Sequence, residues 1–213
     1  MQKIRFINYY GKFDTNIFME SDNTYGNYLM FPGNYLATQL QDKFNCKIVT
    51  DDSFDTIVFL DLDEELYNYA KSLPNNIKKI LVLIESPIYT PFAHVISILT
   101  DKMWYKVISY NREFDAPNLI HYDIAITGIQ QPVNILPQEF QKGCHIASYK
   151  NDTRGYTGNR DKLIMKLLDK NLIDVFGSNW PDHKNYHGKT SDKIAEISRY
   201  KFYLACENAK YSG

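Results

Sequence analysis

Cysteine is scarce in this chain of 213 residues: only three occur, Cys46, Cys144 and Cys206. They lie far apart, form no CxxC pair and leave one over. That pattern offers neither a zinc knuckle nor a secreted disulfide framework, and it points to a reducing, cytoplasmic setting. Long apolar runs are also missing, since the best of them, residues 80–84, falls far short of the roughly 20 residues that span a bilayer. The N-terminus carries Lys3 and Arg5 but breaks into Asn8, Tyr9, Tyr10 and Gly11 before any apolar stretch suited to export, so no signal peptide is read. No charge of one sign dominates. With 24 Lys+Arg against 25 Asp+Glu and a net charge of -1, there is no global field to draw the protein onto a phosphate backbone or an anionic lipid surface.

What is present fits an ordinary folded chain: 44% hydrophobic and 23% charged residues exclude collagen-like and fully disordered classes. The aromatic share of 15%, with 17 Tyr, suits a surface that stacks on sugar rings and equally suits interior packing. No short repeat or low-complexity tract is found.

Hydrophobic periodicity gives an alternation of strands and helices. A strand is predicted at 3–8, followed by a polar loop with Asp14, Asn16, Asp22, Asn23 and Gly26. Tyr35, Leu36, Leu40 and Phe44 recur at near-helical spacing, and a short strand follows at 47–50. Further strands are expected at 56–60 and 79–84, with a helix between them at 64–73 closed by Pro74. A helix through Phe92, Val95, Ile96 and Leu99 precedes a strand at 106–109. A loop with Pro117, Gly128, Pro132 and Pro137 follows, and the last of these prolines reads as a linker. The second run holds a strand at 144–148, a helix at 160–168, a strand at 174–176, a helix at 191–197 and a strand at 202–206. Strands apolar on both faces and spaced by helices argue for parallel α/β sheets in two modules, 1–140 and 141–213.

Several constellations carry possible chemistry. Asp61-Leu62-Asp63 follows a strand, as in metal-dependent GT-A glycosyltransferases, and hard oxygen ligands there suit Mg²⁺ or Mn²⁺. Glu64 and Glu65 follow at once, so the same acids equally suit a helix N-terminus. His183 and His187 have i, i+4 spacing, but Pro181 and Gly188 flank them and favour a loop over a zinc helix. Gly155 and Gly158 precede a helix whose N-terminus can receive a phosphate, without forming a GxGxxG or P-loop pattern. Glu85-Ser86-Pro87 stands directly after the apolar strand at 80–84, at the carboxyl end of a parallel sheet, where ligands bind. Partial burial there would raise a carboxyl pKa toward that of a general base. The alternative is a Glu that accepts backbone N–H bonds from the following turn.

The stretch Glu85-Ser86-Pro87-Ile88-Tyr89-Thr90-Pro91 resembles the ESP-x-x-TP segment of the α-1,3/4-fucosyltransferases, glycosyltransferase family 10. Ser109-Tyr110-Asn111-Arg112-Glu113-Phe114-Asp115 is similar to that family's TYRRDSD stretch. Ile146-Ala147-Ser148 followed by Arg160 resembles its VSN…R segment, and Ile173-Asp174-Val175-Phe176-Gly177 its I-x-x-YG. Tyr200-Lys201-Phe202-Tyr203-Leu204-Ala205-Cys206-Glu207-Asn208 is close to CKFYLSFEN. The likeness runs from about residue 80 to the end.

The resemblance implies an inverting GT-B enzyme with two Rossmann-like domains: residues 1–140 on the acceptor side, and 141–213 as the first part of the GDP-fucose domain. By the same resemblance Glu85 is the catalytic base that deprotonates the acceptor hydroxyl. Arg160 lies on the diphosphate, Ser148 and Asn208 hydrogen-bond the nucleotide sugar, and Glu207 orients the loop or its sugar. No metal is needed for the chemistry and GDP-fucose is the donor. The acceptor is a surface glycan such as lipopolysaccharide, built from the cytoplasmic side with peripheral membrane association. Nucleic acid is not expected as a partner.

Two departures stand out. Residues 110–112 carry one basic residue where animal members have two. The chain stops at Gly213, where the family continues into a Y-[IV]-T-E-K segment and further elements, so the C-terminal domain reads as incomplete. A shortened domain would leave a strand edge open at 202–206 for self-association. The rival readings are a GT-A transferase using Asp61 and Asp63 with Mn²⁺, and a non-catalytic nucleotide- or glycan-binding fragment.

Overall fold

The computed structural model describes residues 1–9, 31–122, 139–151 and 156–206. They form two compact units that divide at residues 128/129. The first contains β1 (Gln2–Asn8), α1 (Phe31–Phe44), β2 (Cys46–Ile48), β3 (Thr56–Leu60), α2 (Glu64–Ser72) and β4 (Lys78–Leu83). After a 3-10 turn at Pro91–His94 come α3 (Ile96–Leu99), β5 (Trp104–Ser109) and β6 (Leu119–His121). The six strands form one sheet in the order β2-β1-β3-β4-β5-β6, and every pair is parallel.

Side-chain alternation explains why these strands read as unbroken apolar runs. Ile57 and Phe59 of β3 and Leu81 and Leu83 of β4 face one way, into a core closed by Leu66 and Ala70 of α2. Val58, Ile80 and Val82, which alternate with them, face Ala37 and Leu40 of α1. Helices cover both faces, so neither parity of a strand is left for polar residues. The helix α2 starts where it does because Asp63 caps it, with Glu64 and Glu65 in its first turn and Lys71 in its last. It ends at Leu73, which is extended ahead of Pro74 because a residue before proline avoids the helical region.

Two sequence expectations need correction in this unit. The helix expected through 92–99 is broken into the 3-10 turn and the single turn of α3, because Val95 between them is extended (φ -71°, ψ 124°). The β-branched side chain of Val95 disfavours one continuous helix. In the stretch read as a loop, Leu119–His121 pairs with β5 as the edge strand β6; three residues are too few to show a period.

The second unit holds β7 (Glu139–Ile146), α4 (Thr157–Asp169), β8 (Ile173–Phe176), α5 (Lys193–Ser198) and β9 (Tyr200–Tyr203). Its sheet is parallel, in the order β8-β7-β9. A module boundary at 140/141 would cut β7, which has already begun at Glu139. Ile164 and Leu168 of α4 pack with Ile173, Val175 and Trp180 on one face, and Cys144, Ile146, Phe176 and Tyr200 form the core of the other. Asp174, though in β8, is buried, and it accepts the Tyr200 hydroxyl at 2.9 Å and Lys142 Nζ at 3.3 Å. Among the described residues β9 pairs with β7 alone, and Phe202 and Tyr203 on it are exposed.

Both units are thus parallel α/β layers of the Rossmann-like kind. In the first, β2 and β3 flank β1 on opposite sides, so the strand order reverses there. Ligand crevices of such sheets lie at the carboxyl ends of the strands, beside that reversal. No helix among the described residues is long and apolar enough to cross a membrane.

Candidate functional site

The carboxyl ends of β3, β4 and β5 bring together residues far apart in sequence. Asp61, just past β3, is buried and has a left-handed backbone (φ 56°), which Asp tolerates better than most residues. Its N–H donates to the Val82 carbonyl at 2.8 Å. Its carboxylate reaches over to the chain leaving β4 and accepts from the N–H of Ile84 at 2.9 Å and of Glu85 at 3.0 Å. Burial pushes the Asp61 carboxyl up to about 7 against the pull of those two N–H donors, and the Glu85 charge adds to the rise.

Glu85 is half-buried. Its carbonyl accepts from His94 Nε2 at 3.0 Å and from the Tyr110 hydroxyl at 3.1 Å. The turn that follows is closed by the carbonyl of Ser86, which accepts from Tyr89 and Thr90 N–H at 2.9 and 3.0 Å. Tyr122, beyond β6, donates its hydroxyl to Leu83 O at 2.9 Å, and burial, helped by the Asp61 charge, raises that phenol to about 12. Burial lowers the His94 pKa, partly offset by its bond to the Glu85 carbonyl. At this sheet end burial raises the Asp61 carboxyl. From sequence alone, Asp61 reads only as metal ligand or helix cap.

The helix-cap reading does not describe Asp61. Asp63 is the cap: its Oδ1 accepts from Leu66 N–H at 2.9 Å, while Asp61 serves the neighbouring strand. Both carboxylates accept from backbone N–H groups. No group of three or more His, Cys, Asp or Glu able to hold a metal occurs among the described residues. His183 and His187 lie in irregular backbone, as the flanking Pro181 and Gly188 predict. His183 Nδ1 accepts from Asn185 N–H at 3.1 Å, and His187 stacks on Phe176 with its Nε2 3.5 Å from Asp174.

In the second unit the structure brings Ser148 and Arg160 together at the carboxyl end of β7. Arg160, in the first turn of α4, is 6% exposed. It is therefore neither a surface residue nor a guanidinium open to solvent. Its Nη2 donates to the Ser148 carbonyl at 2.9 Å, and Asp161 Oδ1 accepts from its Nε at 2.9 Å and lies 2.8 Å from its Nη2. The other oxygen of Asp161 accepts from Lys150 and Asn151 N–H at 3.0 and 3.2 Å. Arg160 and Asp161 together thus tie the start of α4 to the loop after β7, and burial of a matched ion pair with its remaining valences filled is the arrangement that offsets desolvation. Asp161 carries no motif of its own in the sequence beyond directly following an Arg at a helix start.

Gly177 ends β8 with φ 133°, and a Cβ there would stand 2.1 Å from the Ala147 carbonyl oxygen. The same oxygen accepts from Trp180 Nε1 at 2.6 Å. This close backbone approach shapes the mouth of the second sheet beside Ser148. Glu207 and Asn208, the polar loop at 14–26, and Gly155 lie outside the described residues, and Gly158 sits in the first turn of α4.

Compared with known proteins, the chain matches no protein-family model and no curated protein.

Proposed function

We propose that the chain is a glycosyltransferase of the inverting GT-B kind, α-1,3-fucosyltransferase-like, which moves fucose from GDP-fucose to a hydroxyl of a glycan acceptor. The observation that carries this reading is Glu85 at the carboxyl end of β4, half-buried beyond its strand in a wholly parallel sheet, where substrates of such sheets bind. In the resembling family the Glu of this ESP segment is the general base. Here the same residue type follows the matching strand, with its peptide held from both sides.

In that role the Glu85 carboxylate takes the proton of the acceptor hydroxyl as its oxygen attacks the anomeric carbon. The bond to the diphosphate breaks on the opposite face, and GDP leaves with the electron pair. The first unit is the acceptor side. The second is the donor side, with Ser148 and Arg160 fixed at its sheet mouth and Glu207 and Asn208 completing the nucleotide-sugar contacts. Because Arg160 is engaged by Asp161 and Ser148, its favoured contribution is to hold the β7–α4 loop, so that the N–H groups of the helix start can meet a diphosphate. The work belongs to glycan biosynthesis in the cytoplasm at the inner face of the membrane.

The test is a screen of GDP-, UDP- and CMP-sugars for binding and turnover, followed by Glu85→Gln. Amide and carboxylate are nearly the same size, so the variant should keep donor affinity and lose about 10² or more in turnover, as removal of a general base does. Tight UDP-sugar binding with none for GDP-fucose, or an unchanged rate in folded Glu85→Gln, would overturn the reading.

A further inference from the structure

The last ladder pair of β4 with β5 is Leu83 with Ser109. Ile84 and Glu85 therefore lie beyond the point where sheet pairing fixes the backbone. Three side chains take over. Asp61 accepts the N–H of Ile84 at 2.9 Å and that of Glu85 at 3.0 Å, while His94 Nε2 and the Tyr110 hydroxyl reach the Glu85 carbonyl at 3.0 and 3.1 Å. A carbonyl oxygen only accepts, so His94 carries its proton on Nε2. Both hydrogen-bonding atoms of the Glu85 main chain are thus held, from the end of β3, from the 3-10 turn and from the end of β5. Asp61 is itself anchored by its N–H on the Val82 carbonyl at 2.8 Å.

We propose that Asp61 is a positioning residue for Glu85, acting with His94 and Tyr110 to fix the backbone from which the Glu85 carboxylate meets the acceptor hydroxyl. The proposal rests on the reading of Glu85 as the base. A general base works over a heavy-atom reach of about 2.6–3.2 Å, and a drift of about 1 Å in a positioned group costs about 10² in rate. A residue past the last ladder pair of its strand needs some such restraint.

Three variants separate positioning from bulk structure. Asp61→Gly removes the carboxylate while its backbone keeps φ 56° without strain. Asp61→Asn keeps an Oδ1 that can accept from both N–H groups. Tyr110→Phe removes one donor from the Glu85 carbonyl and leaves the ring in place. Each is read by hydrogen exchange at the Ile84 and Glu85 amides and by steady-state kinetics with GDP-fucose and a glycan acceptor. Asp61→Gly should speed exchange at those two amides at least about tenfold and lower kcat about 30- to 100-fold, with donor KM within about twofold. Asp61→Asn should keep the protection and stay within about threefold of wild-type kcat, and Tyr110→Phe should lose about three- to tenfold.

Wild-type turnover by Asp61→Gly despite lost amide protection would overturn the proposal, as would equal damage from Gly and Asn with both amides still protected. Absence of turnover with every nucleotide sugar in the wild type would instead remove the reading of Glu85 as base, and the positioning role with it. In that case the exchange data alone would report whether Asp61 grips the peptide.

Discussion

At the scale of single residues, Asp61 and Asp63 stand two positions apart and serve different neighbours. Asp63 points down its own helix, and Asp61 reaches across to the next strand. Asp61 has its pKa raised by burial from 3.8 to about 7, so the folded state binds its proton more tightly than the unfolded chain. The resulting stabilisation is full below the unfolded value and is lost as pH rises through about 7, with an upper size of about 4 kcal/mol. Asp61→Asn has no proton to lose there and its side chain accommodates φ 56°. Thermal unfolding from pH 4 to 8.5 should therefore show the wild type losing Tm relative to Asp61→Asn as pH climbs, with the gap levelling off above pH 7. Parallel curves would mean that Asp61 is not titrating in this range.

At the scale of elements, the mouth of the second sheet depends on backbone approach. Gly177→Ala would put a methyl 2.1 Å from Ala147 O and 2.5 Å from Ala147 C, at a φ of 133°, so backbone must move on both sides. The expected cost is about 3 kcal/mol or more, read as a fall in the denaturant midpoint followed by Trp180 fluorescence. A midpoint within experimental error of the wild type would show that the β8 end yields easily. In contrast, Asp63→Ala should cost only about 1 kcal/mol, because it removes one N-terminal acceptor from an exposed helix start while Glu64 and Glu65 remain.

At the scale of the whole molecule, the two tryptophans report on separate cores: Trp104 lies in the larger core of the first unit and Trp180 in the small core of the second. The second sheet has three strands against six, and a small core supports less stability. The expected outcome is two transitions in urea, with the Trp180 signal, measured in Trp104→Phe, moving at lower denaturant than the Trp104 signal in Trp180→Phe. Coincident curves would show that both units unfold as one cooperative body.

The class of fold was legible in the sequence because burial on both faces leaves a mark that a linear chain can carry. Runs such as 56–60 and 79–84 are apolar at both parities, and the helix between them is capped by its own local acids. Boundaries that rest on short or strained backbone were not legible: Val95 splits an apparent helix, β6 is three residues long, and β7 begins before its first apolar residue. Of the candidate site, Glu85 was readable from its place after an apolar run, and Arg160 from its place at a helix start. What surrounds them was not. Asp61 with Glu85 spans 24 residues, Tyr110 with Glu85 spans 25 and Tyr122 with Leu83 spans 39, and parallel pairing alone brings such positions to one sheet end. Sequence by itself determined which residues are apolar and that the sheets are parallel. Tertiary structure decided that Asp61 grips a neighbouring strand and that Arg160 is buried against Asp161, since a hydrogen bond across a sheet end depends on register and strand order, which no local stretch of residues encodes.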